Sequence, residues 1–336
     1  MNVMTVRQAA LASRFIIAAG LLLVFPLHLL ACLMSGLLVF ELVNALTPPL
    51  QRLIPGDRAR WIAVALLGFI IVSLLSTLFG LGISFVSHEM RNPGAMLGHF
   101  MDIVNQGREQ LPASIVKYLP ESADEFRQTL VEWFHSHLSD LQLVGKGAAH
   151  IFVTLLIGMI IGAIVALQRP PHPHYMTPFT AALLQRMVLL RKAFHNIVFA
   201  QLKISTVNTV LSAIFLLCVL PLCGVQLPLA KTLVIVTFVV GLLPVIGNLI
   251  SNTLITIVAL SLSPWVALAT LFYLVAIHKV EYFLNARIVG GQISSRSWEL
   301  LVAMLVFDAT FGVGGLVAAP VYYAYIKSEL KYEGLI

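Results

Sequence analysis

Charge is what this chain has least of. Asp, Glu, Lys and Arg make up 11% of its 336 residues, against 59% hydrophobic residues. A soluble domain is about 25% charged, so the balance excludes that class and points to an integral membrane protein. Cysteine is also rare. Cys32, Cys218 and Cys223 lie in or at the ends of apolar runs without metal-ligand spacing, so they read as small packing residues. Catalytic signatures are missing as well. There is no GxxxxGK[ST] phosphate loop, no HExxH and no GxSxG, and no acid, base and nucleophile stand at a defined spacing. The chain therefore reads as neither an ATPase nor any other enzyme, and no cofactor is expected. His135 and His137 fall on different faces of a helix, and His172 and His174 sit in a proline-rich loop, so no metal site is expected at either pair. The net charge of +6 does not signal nucleic acid, because the basic residues flank apolar spans. No cleavable signal is expected either, since the apolar run from Phe15 is too long for an h-region.

What is present is a succession of apolar runs. Residues 1–87 read as N-terminal transmembrane segments. Phe15–Leu46 is too long for one span, is interrupted by Pro26 and His28, and holds Glu41 as its one charge. A tight helical hairpin is expected there, then a loop rich in Pro and Gly (TPPLQRLIPGDR), then the uncharged span Trp61–Val86. Residues 88–146 concentrate the acids, among them Glu89, Asp102, Glu109 and Glu121, and place Leu130, Trp133, Phe134, Leu138 and Leu141 near one helical face. This reads as an acidic amphipathic insert outside the cytoplasm, with helices over 104–119 and 122–143. Residues 147–222 read as transmembrane segments flanking a basic loop, 168–203, which carries Arg169, Arg186, Arg191, Lys192 and Lys203 and no acid. That loop and both termini are expected in the cytoplasm. Arg186, Arg191 and Lys192 read as topology determinants near anionic lipid.

Residues 223–336 read as a broken-helix transport core. VVGLLPVIGNLISN (Val239–Asn252) and FDATFGVGGLVAAP (Phe307–Pro320) are apolar runs broken in the middle. A bilayer offers no water to a broken backbone, and paired interrupted segments mark transporter sites. If both runs cross once, the loop 285–297 lies outside; if both are re-entrant it lies inside, and charge favours the hairpins. Pro244 removes a helical hydrogen bond and Gly247 permits a close turn. Asn248, Ser251 and Asn252 add uncharged donors and acceptors suited to a neutral polyol, although Gly and Asn serve helix packing equally well. Gly312, Gly314 and Gly315, with Pro320, read the same way. Between the breaks lie His278, Lys279, Glu281, Asn285 and Arg287. His278, Glu281 and Asn285 share a helix face. An intramembrane acid is a functional candidate by default, while Glu281 can also pair with Lys279 or Arg287 at a helix end. Asp308 can take a proton or cation, pair with a basic residue, or cap the second half-helix. Glu299 reads as part of the first turn of the last segment. Glu41 is either a proton site or an acid near a membrane surface.

LPVIGN at 243–248, the Asn285–Gly290 run and FGVGGLVAAP at 311–320 resemble, in order and spacing, motifs of the autoinducer-2 exporter family of permease-like bacterial membrane proteins. The likeness extends over nearly the whole chain, the acidic insert included. Asn248 stands where many members continue with a Pro or polar pair, and no Pro follows the Asn-led segment, which marks a divergent member. The resemblance implies an all-α polytopic protein of the bacterial inner membrane with about eight apolar segments. It implies a homo-oligomer, with a pentamer as one candidate state. It implies export of a small polar solute such as autoinducer-2 without ATP, or else sodium–proton exchange. A third reading, from another class, is an oligomeric membrane scaffold without transport. The partners expected are the lipid bilayer, a small polar solute, protons or sodium, and further copies of the chain.

Overall fold

In a bilayer a helix pairs every backbone group within its own segment, so long apolar runs become helices. The structure, a computed structural model, describes residues 5–56, 58–89, 128, 131–132, 136–168, 176–243, 246–293 and 297–336. Among the described residues there are helices and no strands: α1 (Val6–Leu23), α2 (Leu30–Gln51), α3 (Arg58–Glu89), α4 (Leu138–Leu167), α5 (Pro178–Ile214), α6 (Ala230–Gly241), α7 (Ile246–Leu260), α8 (Pro264–Ile293) and α9 (Ser297–Tyr332). By length and composition α1, α2, α3, α4, α5 and α9 could each cross a membrane. The architecture is the expected one, all-α and polytopic. The helix expected over 104–119 lies outside the described residues, as does that over 122–143 except for 128, 131–132 and 136–143, where Leu138 opens α4.

Local sequence explains several helix ends. Thr5 and Gln8 form a capping box at the start of α1. Pro264 opens α8, with Ser263 Oγ accepting from the Trp265 amide at 3.2 Å. The continuation of α5 widens into a π-helical turn, Phe215–Val219, just before Pro221. Pro221 has no N–H to offer and its ring crowds the carbonyl four residues back, so the wider turn relieves the clash. One expectation fails: TPPLQRLIPGDR is not loop throughout, because α2 continues through Pro48 and Pro49 to Gln51. The fixed φ of proline is helical, so each of these prolines forfeits one N–H bond without ending the helix, which stops at Gln51, two residues after Pro49.

Both broken runs fold back on themselves. In the first, α6 and α7 pack on each other, and Leu233 shares a core with Ile255 and Ala259. Their 12 and 15 residues reach only about 18 and 22 Å, short of the hydrocarbon thickness of about 30 Å. In the second, α9 is long enough to span, yet it reverses at Gly312 (φ 63°, ψ −153°). A side chain on Gly315 would strike the Phe307 carbonyl. The rings of Phe307 and Tyr322 lie 5.5 Å apart. Lys327 Nζ reaches Glu299 at 2.6 Å. In a straight helix those last two residues would be about 42 Å apart. Both ends of α9 are therefore at one end of a helical hairpin. The Gly312 backbone lies in a region open essentially to glycine alone. Gly312→Ala is expected to destabilise the hairpin by about 1–3 kcal/mol, read as a lower thermal midpoint in detergent, whereas Gly20→Ala, on an open helix face, should leave it within error.

The chain divides into two compact units, one of Met1–Ser76, Val144–Val198 and Gln292–Ile336, the other of Thr77–Leu143 and Phe199–Gly291. In the first unit α2 and α4 meet through small residues. Gly36 faces Gly158 and Gly162, and Ser35 Oγ donates to the Leu155 carbonyl at 2.8 Å, the close backbone approach that small residues permit in membranes. Val39, Val43, Ala63, Leu67 and Ala166 extend this contact to α3. In the second unit the core gathers Phe215, Leu216, Leu220, Leu233, Ile255, Ala259, Ala267 and Leu274.

Candidate functional site: two hairpin turns in apolar helices

The turn between α6 and α7 leaves carbonyls that a continuous helix would have bonded. The second half of α5 supplies partners. Gln201 Nε2 donates to the Gly241 carbonyl at 2.8 Å, Ser205 Oγ to the Phe238 carbonyl at 2.7 Å, and Asn208 Nδ2 to Asn248 Oδ1 at 2.8 Å. These three α5 residues recur at i, i+4 and i+7 and so share a face. Ser205 and Asn208 are buried. Gly241 and Gly247 are small by necessity: a Cβ on Gly247 would strike the Val240 carbonyl, and one on Gly241 would stand 2.8 Å from Ser205 Oγ. Gly247 and Asn248 thus sit at the turn the sequence marks. Ser251 is buried and donates to the Asn248 carbonyl at 3.3 Å. The Asn252 carbonyl accepts from Thr256 Oγ1 at 2.7 Å. Pro244 lies outside the described residues. The turn presents amides, hydroxyls and carbonyls.

Sequence reasoning missed Gln201, Ser205 and Asn208. The signal was available, as polar residues at helical spacing entering an apolar run, but their partners are 33 to 40 positions away.

The α9 turn has a different chemistry. Gly314 stands 3.4 Å, measured from its would-be Cβ, from Leu30 of α2, and Gly315 is buried against Phe307. Phe25, in the turn between α1 and α2, stacks on Phe311 with ring centroids 3.9 Å apart, and Phe307 and Tyr322 complete the cluster. Tyr322 also donates to the Leu21 carbonyl at 3.0 Å. At the open end of the hairpin, Glu299 binds Tyr323 and Lys327, so it does more than serve the first turn of the helix. Asp308 is exposed on the first arm, and no described residue forms an ion pair with it. Lys279 is exposed on α8. The side chains of His278, Glu281, Asn285 and Arg287, also on α8, lie outside the described residues.

Two of the basic residues read as topology determinants have acidic partners within the first unit. Arg186, 2% exposed, reaches Glu329 at 3.2 Å and Glu333 at 3.7 Å, and Arg14 binds the same two acids. Arg191 Nε lies 2.5 Å from Glu41 Oε1, and His195 Nδ1 lies 3.0 Å from Glu41 Oε2. Glu41 of α2 pairs with α5, and Arg14 of α1 shares Glu329 and Glu333 with Arg186 of α5, so the first apolar run also doubles back, with its turn at residues 24–29 and His28 in a left-handed conformation (φ 54°).

Helices long and apolar enough to cross a bilayer, together with chain reversals inside apolar sequence, define a multi-pass membrane protein of the transporter class. The match to the model of the AI-2E family transporter covers residues 11–332, and the chain belongs to that family. It is a membrane transporter. No curated protein matches the chain in the corresponding comparison, and no solved structure does.

Proposed function

We propose that the protein is a secondary carrier, driven without ATP, for a small polar solute rich in hydroxyl groups, an autoinducer-2-like signal being the class its family name indicates. The observation that carries this reading is the uncharged set at the α6–α7 turn: Gln201, Ser205 and Asn208 on α5 facing Gly241 and Asn248. Such groups can exchange the hydrogen bonds they make with one another for bonds to solute hydroxyls without a desolvated charge. A fully ionic substrate would find no compensating charge there among these groups. The bacterial inner membrane and a homo-oligomer are part of the same proposal. So is a working core over 223–336 that includes Pro244, Gly247, Asn248 and Asn252.

Proteoliposomes loaded with a radiolabelled polyol test it. Asn208→Leu is expected to lower flux about tenfold, the worth of one or two hydrogen bonds at about 1 kcal/mol each, while the reconstituted amount and thermal midpoint stay near wild type. Unchanged flux in that variant refutes the assignment of the turn.

A second reading, cation–proton exchange, is favoured by one observation: Asp308 is an exposed carboxylate on an apolar arm, with no ion-pair partner among the described residues. An imposed sodium gradient that moves no protons, in wild type as in Asp308→Asn, removes it.

A further inference from the structure

A threonine inside a helix commonly turns its hydroxyl to the carbonyl four residues back. Thr47, Thr206, Thr237 and Thr256 do so, at 2.6 to 2.8 Å. Thr209 of α5 and Thr270 of α8 do not. Oγ1 of each is buried and has no hydrogen-bond partner among the described residues, and the Thr270 side chain is fully buried. An apolar interior returns nothing to a lone hydroxyl for the water it has lost, so such a group calls for a reason. Both hydroxyls belong to the second unit and to one seam. α5 carries Gln201, Ser205, Asn208, Thr209 and Ser212 at i, i+4, i+7, i+8 and i+11, a single face about 16 Å long. Ser205, Asn208 and Ser212 are buried, and the first three of the five bond to the α6–α7 hairpin. α8 meets α5 just beyond. Tyr273 Oη donates to the Leu211 carbonyl at 3.3 Å, and its ring stacks on Phe215 with centroids 3.8 Å apart. Thr209 stands two residues before Leu211 and Thr270 three before Tyr273, so each hydroxyl is within one turn of this contact. Ala267, Thr270 and Leu274 recur at i, i+3 and i+7, and Ala267 and Leu274 share the core of Phe215 and Leu216, so Thr270 is turned inward with them.

We propose that Thr209 and Thr270 form a second subsite for the solute, reached along the α5 face from the α6–α7 turn. Each hydroxyl gives one hydrogen bond to a solute hydroxyl or accepts one from it. This rests on the carrier reading above and extends its site from a turn to a path. The chemistry selects a neutral polyol. Residues 204–222 and 264–277 hold no charged side chain, so an ionic solute would be desolvated there without compensation. A hydroxyl both donates and accepts, as a polyol does, and the two threonines sacrifice no bond of their own among the described residues when they engage it.

The test measures flux of tritiated ribitol in proteoliposomes of the full-length protein, together with thermal midpoints in detergent. Thr209→Val and Thr270→Val keep the shape and remove the hydroxyl. Each is expected to raise the apparent KM about fivefold, the worth of one neutral hydrogen bond, with a maximal rate near wild type, the mark of lost binding. Their midpoints are expected to equal or exceed that of wild type, since a lone buried hydroxyl is removed and no bond within the protein is lost. Thr270→Ser, which keeps the hydroxyl, should hold KM near wild type. An unchanged KM in either valine variant overturns the subsite, and a lowered midpoint alongside it shows that the hydroxyl serves the fold. A serine variant as poor as the valine one assigns the effect to packing and overturns the subsite too. Asn208→Leu in the same vesicles separates the two proposals: flux lost there, with KM unchanged in Thr270→Val, leaves the carrier reading standing and refutes this subsite. Absence of ribitol flux in wild type refutes both.

Discussion

Replacing Arg186 with methionine is expected to be among the most damaging single changes to stability, at about 3–5 kcal/mol. The residue is buried, and its guanidinium lies between Glu329 and Glu333 of α9 while Nη1 donates to the Ala182 carbonyl at 3.0 Å. Deleting it leaves two acids that, among the described residues, share only Arg14. An uncompensated charge is then trapped where water is scarce, and this sets the magnitude more than the lost attraction does. The contacts are ionic rather than well-aligned hydrogen bonds, since Arg186 Nε and Nη2 and both Glu329 oxygens have no hydrogen-bond partner among the described residues. The pair is therefore costly to break and of modest net benefit to keep. A thermal melt in detergent checks both halves of that statement. Arg186→Met should lower the midpoint clearly, and adding Glu329→Gln to it should restore part of the loss. A single variant that melts with wild type would mean the network is hydrated.

The second large effect is expected at the contact of α2 with α4. Gly158 faces the Cys32 carbonyl and Ser35 Oγ so closely that any side chain there collides with backbone. Gly158→Leu must push the helices apart. It then forfeits the Ser35–Leu155 hydrogen bond and the packing of Gly36 on Gly162. Overpacking costs about 1–3 kcal/mol, and the lost bond adds about 1 kcal/mol. Gly147→Leu is the control, because nothing stands within 4 Å of a Cβ at Gly147 in the same helix. Equal melting of the two variants would show that helix propensity, and not close approach, governs this pair.

These two expectations differ in how far the sequence alone could have led to them. The breaks at Gly247 and Gly312 were legible, because a helix interrupted by Pro or Gly is a local fact. Glu41 stood out as the one charge in its run. Its partners did not, since Arg191 and His195 lie 150 and 154 positions away and their surroundings suggested only a basic loop. The same holds for the α6–α7 turn. Asn248 was singled out, while Asn208, forty positions earlier, passed as an ordinary polar residue at the edge of a span. Gly158 and Gly162, spaced four apart in α4, carried a packing signal that was readable and was overlooked.

The sequence by itself determined that this is an all-helical membrane protein, and roughly where its helices stop. Hydropathy and the loss of backbone donors act over a few residues, so composition is enough to locate them. Only the tertiary structure decided that residues 297–332 fold into a hairpin. Length and apolarity are the same for a span and a folded hairpin; the difference lies in contacts such as Glu299 with Lys327. It alone decided, too, that Arg186 and Arg191 are internal partners of α9 and α2. Charge pairing depends on which helix faces meet, and nothing within one helix specifies that.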